Sequence, residues 1–83
     1  MKKQPTRESV ITVIEQLLQG LIAREYVAEW AFSIIDDQDV VVTDKVLWEV
    51  IQCLGSVDLV APDRDYLYEN VDFNEWLNSL KTK

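Results

Sequence analysis

The chain contains no histidine. That absence removes the side chain most used as a general base near neutral pH, the Ser-His-Asp and Cys-His arrangements, and the commonest zinc ligand. Most hydrolase mechanisms go with it. Cysteine is nearly absent as well: Cys53 stands alone, so no disulfide framework can form within the chain, and a reducing cytoplasm is the expected compartment. Two glycines and two prolines in 83 residues are too few turn formers for the many short hairpins of an all-β domain, which favours helices. No apolar run approaches the roughly 20 residues that span a bilayer. The opening Met1-Lys2-Lys3-Gln4-Pro5-Thr6-Arg7-Glu8 is followed by a periodic helix rather than the apolar core of a secretion signal, so neither a membrane span nor a signal peptide is expected.

What is present has the composition of an ordinary globular domain, with 48% hydrophobic and 28% charged residues. The length suits a single core, so one domain over 1–83 is expected, with residues 1–5 and 81–83 as flexible ends. Four stretches carry helical periodicity. From about Thr6 to Gln19, Val10, Ile14, Leu17 and Leu21 fall on one stripe, and Gly20 is the natural left-handed stop. Over Arg24 to Ile35, Val27, Trp30, Ala31 and Ile34 repeat at helical spacing behind a weak cap, Ala23, which offers no side-chain oxygen. Thr43 or Asp44 caps a third helix bearing Leu47, Val50, Ile51 and Leu54, with Gly55 as its stop. A fourth helix starts at Asn70 or Asp72 and aligns Phe73, Trp76, Leu77 and Leu80, with Asp72 and Glu75 spaced as a capping box. The fold class expected is all-α: a compact four-helix domain with one longer acidic connector between the third and fourth helices.

The connections carry the remaining information. Residues 36–42 include the β-branched run Val40-Val41-Val42, but a lone strand has no partner, so a loop is expected. The long connector 56–69 holds Pro62 and Tyr66-Leu67-Tyr68, and its aromatic residues argue that part of it packs down. A calcium loop read from Asp63 fails: its sixth position is Tyr68 and its twelfth is Asn74, where glycine and glutamate are required. Cys53 lies near the end of a helix, where the dipole does not favour a thiolate, and is expected to be a packing residue. Trp30, Phe73 and Trp76 are expected in the core. No metal, no cofactor and no catalytic residue is expected, and the chain is read as a non-enzyme.

Charge gives the remaining pointer. Residues 36–75 contain eleven acids (Asp36, Asp37, Asp39, Asp44, Glu49, Asp58, Asp63, Asp65, Glu69, Asp72, Glu75) and two bases (Lys45, Arg64), a balance of −9. Such a field opposes nucleic-acid phosphates and anionic membranes and favours a basic protein. Tyr66 and Tyr68 beside these acids have the amphipathic character common at interface hot spots, or else they only seal the loop onto the helices. The partner-binding set read on these grounds is Asp36, Asp37, Asp39, Asp58, Asp63, Asp65, Tyr66, Tyr68, Glu69 and Asp72.

The segments Gly20-Leu21-Ile22-Ala23-Arg24-Glu25, Glu29-Trp30-Ala31, Val46-Leu47-Trp48, Gly55-Ser56-Val57-Asp58-Leu59, Tyr66-Leu67-Tyr68 and Asp72-Phe73-Asn74-Glu75-Trp76-Leu77 resemble a group of short bacterial proteins of unassigned function. In size, acidity and helical layout the chain is also similar in type to immunity proteins of the colicin nuclease and contact-dependent inhibition kind. That similarity implies an acidic inhibitor that occludes a basic toxin domain, with nucleic acid and membrane excluded as partners. The alternative from the residues themselves is a homodimeric structural or adaptor protein that associates through an apolar helix face bearing Trp48.

Overall fold

A computed structural model describes residues 5–60, 62, 63, 66 and 68–82. Among them lie four helices and no strand: α1 (Arg7–Leu18), α2 (Arg24–Ile35), α3 (Lys45–Leu54) and α4 (Asn70–Thr82). The all-α, four-helix expectation holds. The core gathers Val10 and Ile14 of α1, Val27, Ala28 and Ala31 of α2, Leu47, Val50, Ile51 and Leu54 of α3, and Phe73, Leu77 and Leu80 of α4. Val57, just past α3, joins them fully buried, so the start of the long connector does pack down. Trp30 and Trp76 lie only half-buried against this core, whereas Phe73 is inside it. An indole is too large to be enclosed by a core made mostly of Val, Ala and Leu in so short a chain.

Local chemistry explains the ends of the helices. Thr6 caps α1: its side chain accepts from the Ser9 amide at 3.0 Å, and Ser9 Oγ accepts from the Thr6 amide at 3.0 Å, a reciprocal capping box. At the other end Gly20 takes φ +74°, with its amide on Leu17 O at 3.2 Å and the Leu21 amide on Gln16 O at 2.9 Å. Those two bonds form the Schellman closure expected of a glycine there. Asp44 caps α3 by accepting from the Leu47 amide. Gly55 follows the last residue of α3 as expected, and its backbone is right-handed, with φ −62°. What it supplies is room: a Cβ there would lie 3.2 Å from Ile35 Cδ1 and 3.3 Å from Gln52 O. The capping box read at Asp72 and Glu75 is corrected. The helix begins at Asn70, and Asp72 Oδ2 instead accepts from the Glu69 amide at 2.8 Å.

Two arginines tie the helices together at opposite ends. Arg7, at the start of α1, grips the α3 cap Asp44 through two parallel bonds, Nε to Oδ2 at 2.6 Å and Nη2 to Oδ1 at 3.0 Å. Its Nη1 donates to Leu80 O in the last turn of α4 at 3.0 Å. At the far end Arg24, opening α2, donates from Nη1 to Val57 O at 2.9 Å and to Tyr68 O at 2.8 Å, joining the segment after α3 to the segment before α4. α1 and α3 therefore start at one end of the molecule, and α2 and α4 start at the other. This is an up-down-up-down path. No helix among the described residues is long and apolar enough to cross a membrane.

The Arg7 to Asp44 pair makes stability depend on acid. The guanidinium hydrogen bond holds the Asp44 carboxyl below its ordinary value, and burial only partly opposes this. A carboxylate depressed in the folded state stabilises fully above its unfolded value and loses that contribution as pH falls through the folded one. Melting temperature is thus expected to drop as pH is lowered from about 5 through the ordinary aspartate value of about 4 and below. Asp44→Asn should be less stable at neutral pH and should lose less on acidification. Thermal melts of the two proteins between neutral pH and pH 3 check this.

Candidate functional site

The residues read from sequence as partner-binding do not form one surface. Asp36, Asp37 and Asp39 lie on the connection entering α3, whereas Asp58, Asp63, Tyr66, Tyr68 and Glu69 lie on the connection leaving it, and Asp72 lies in the first turn of α4. The ten residues of α3 hold the two connections about 15 Å apart at 1.5 Å rise per residue. Asp65 falls outside the described residues. Several of these groups do internal work. Asp37 Oδ1 accepts from the Asp39 amide at 2.9 Å to fold the turn, and Asp72 caps α4. The Tyr66 ring lies 3.8 Å beneath the Arg24 guanidinium carbon, and Tyr68 packs edge-on against Trp76 with ring centroids 5.1 Å apart. Of the two readings open for the tyrosines, the contacts seen are those that fasten the connector to the helices.

Cys53 is half-buried, and burial pushes its thiol above the ordinary value while a hydrogen bond with Tyr68 opposes the rise. A thiol kept protonated is a poor nucleophile. Cys53 lines a groove of about 200 Å³ between α3 and α4, with Val46, Glu49, Val50, Trp76 and Ser79. That volume is below the usual range of small-molecule sites. Among the described residues no cluster of three potential ligands could hold a metal.

A different surface stands out on α4. Its buried face is Phe73, Leu77 and Leu80, and its exposed face is Asn70, Val71, Asn74, Glu75, Asn78, Lys81 and Thr82. All three asparagines of the chain are in this set, at intervals of four, and Thr82 continues the row by another four. Residues four apart share one side of a helix, so the row is a stripe of uncharged groups that both donate and accept. Within it Asn74 Nδ2 donates to Asn70 O at 3.0 Å and Thr82 Oγ1 donates to Asn78 O at 2.7 Å, and both residues are exposed.

Asparagine is a weak helix former, because its side chain competes for the backbone, and nothing in the packing demands it on an exposed face. Breaking a local rule without a structural return is a signal of function. Charge on this face is balanced, with Lys81 against Glu75, in a chain of net charge −7. Lys81 also makes a loose ion pair with Glu15 of α1 at 3.6 Å, with half of its side chain exposed. Sequence reasoning missed the asparagines because they are neither charged nor aromatic. Their spacing of four was visible there.

A family model described as YxzC DNA-binding protein matches residues 4–80. A curated relative, an uncharacterized protein YxzC from Bacillus subtilis (strain 168), is 31% identical over 67 residues, which is 81% of this chain and 55% of that protein. The chain thus spans about half the length of the curated relative it matches. No solved structure matches it significantly. These matches overturn the similarity in type to immunity proteins and the reading as a toxin inhibitor, and they lend no support to the homodimeric adaptor. They also overturn the exclusion of nucleic acid, since the family's description carries DNA. The charge argument failed for a physical reason. At physiological salt, charges farther apart than about 8 Å are largely screened, so a partner responds to the face it touches and not to the net charge.

Proposed function

We propose, from the premise that this chain belongs to the YxzC DNA-binding protein family, that it binds double-stranded DNA through the exposed face of α4. The observation that carries this reading is the row Asn70, Asn74, Asn78 and Thr82 on one side of an exposed helix that ends in Lys81 and Thr82. B-DNA's major groove is about 12 Å wide and admits an α-helix. A 13-residue helix is about 20 Å long, enough to lie along several base pairs. Asparagine amides and threonine hydroxyls reach base edges and phosphate oxygens without needing a basic surface. Lys81, exposed in the last turn, supplies the cationic anchor at the end of the helix. Clamping is the work of Arg7 and Arg24, which fix the two ends of α4 so that the face is presented rigidly. The protein acts as a binder and not a catalyst, and the cytoplasm is where it meets DNA.

With few cations at the interface, affinity should depend only weakly on salt. The slope of log K against log salt is about −0.9 per neutralised phosphate, so a contact through Lys81 predicts about −1. Fluorescence anisotropy with a labelled 20-base-pair duplex, from 50 to 200 mM salt, measures it. Lys81→Ala should make the slope shallower by about 1. Absence of saturable binding to any duplex at 50 mM salt would sink the proposal.

A further inference from the structure

We infer that the asparagine row of α4 reads adenines at successive base pairs in the major groove. The inference rests on the reading of α4 as the DNA-binding face and goes beyond it by naming what is recognised. An asparagine carboxamide offers one acceptor and two donors side by side. Adenine's major-groove edge offers the complement, an acceptor at N7 and a donor at N6, and the pair closes through two bonds. Guanine presents two acceptors there, so the carboxamide oxygen would face another acceptor.

Spacing sets the register. Asn70, Asn74 and Asn78 succeed one another at four residues, about 6 Å along the helix axis at 1.5 Å per residue. A helix in the major groove follows the groove, which crosses the duplex axis obliquely, so residues three or four apart face successive base pairs. Three asparagines therefore address about three successive pairs. Neighbouring side chains do not compete for this role. Val71 is apolar, Glu75 suits a cytosine donor and not adenine, and Lys81 is a cation at the end of the row. Among the described residues the one bond donated by an asparagine side chain of this row, Asn74 Nδ2 to Asn70 O, is to an exposed backbone carbonyl and can be exchanged for water or a base.

The test is selection of bound sequences from a pool of 20-base-pair duplexes randomised over the central eight pairs. The native chain and an Asn74→Ala/Asn78→Ala variant are run in parallel. Both substituted positions are exposed, and alanine is the better helix former, so the variant keeps its fold. The native chain should enrich adenine at about three successive positions, and replacing one such pair by G·C should weaken binding about tenfold. 7-Deazaadenine, which lacks N7 but pairs normally, should weaken it comparably. The variant should keep a preference only at the single pair faced by Asn70 and lose it at the other two. Binding without adenine enrichment, or enrichment that the double substitution does not reduce to a single pair, overturns the inference and leaves DNA binding by α4 standing. No duplex bound by either protein overturns both together.

Discussion

Phe73→Ala is expected to leave the domain close to unfolding at room temperature. The Phe73 ring is 1% exposed, sits 5.4 Å from the Trp76 ring at a tilt of 44°, and lies 5.1 Å from the Arg24 guanidinium carbon. Truncating a buried phenylalanine costs about 3–5 kcal/mol, part from lost transfer of the ring out of water and part from the cavity left behind. A chain of this length has a total stability of about 4–12 kcal/mol, so that loss is a large share of the whole. The neighbours cannot close the gap cheaply, because Leu77 and Leu80 come from the same rigid helix and Val57 is held by its own burial. Urea denaturation followed by tryptophan fluorescence measures the effect. A midpoint that falls by less than about 1 kcal/mol equivalent would mean that Phe73 is not the keystone of the α4 face.

Arg24→Ala should be nearly as damaging, about 2–4 kcal/mol, or a fall in melting temperature of about 10 °C or more. The reason is polar, not apolar. One nitrogen of Arg24 serves the carbonyls of both Val57 and Tyr68, and its plane covers the Tyr66 ring. Bonds to a charged donor contribute about 1.5–3 kcal/mol each, discounted here because the residue is only part-buried, and removal leaves two carbonyls without that partner. Lysine keeps the charge but cannot satisfy two carbonyls and stack in the same pose, so Arg24→Lys should recover less than half of the loss. Thermal melts of the three proteins give the ranking. Equal stability of the lysine variant and the native chain would reduce Arg24 to a simple charge.

These two positions differ in how they could be read in advance. Phe73 belongs to a periodic stripe, and periodicity is what a chain displays most openly. The same logic placed Val10, Ile14, Leu47, Ile51, Leu54 and Leu77 in the core and located all four helices. Arg24 carried no such mark. A surface arginine at a helix start is unremarkable until two carbonyls from distant segments converge on it, and that convergence is a tertiary event. Arg7 is alike, since its partner Asp44 is 37 positions away. Gly55 was legible as the stop of α3, but the Ile35 side chain packed beside it was not.

The functional face divides the same way. Acidic residues dominated the reading because they are numerous, yet they occupy two connections at opposite ends of α3, and several are used for turns and caps. Three asparagines four apart are few and uncharged. They gain meaning once α4 is seen to turn them all outward while Phe73, Leu77 and Leu80 turn in.

The most direct test of this account is amide NMR of the native chain titrated with a short duplex. Interaction through α4 predicts that shifts concentrate at Asn70, Asn74, Asn78, Lys81 and Thr82 and at their side-chain amides, with Glu25, Glu29 and Asp36 to Asp39 left in place. Shifts centred on the acidic connections or on α2, or none at a duplex concentration that saturates binding, would contradict it.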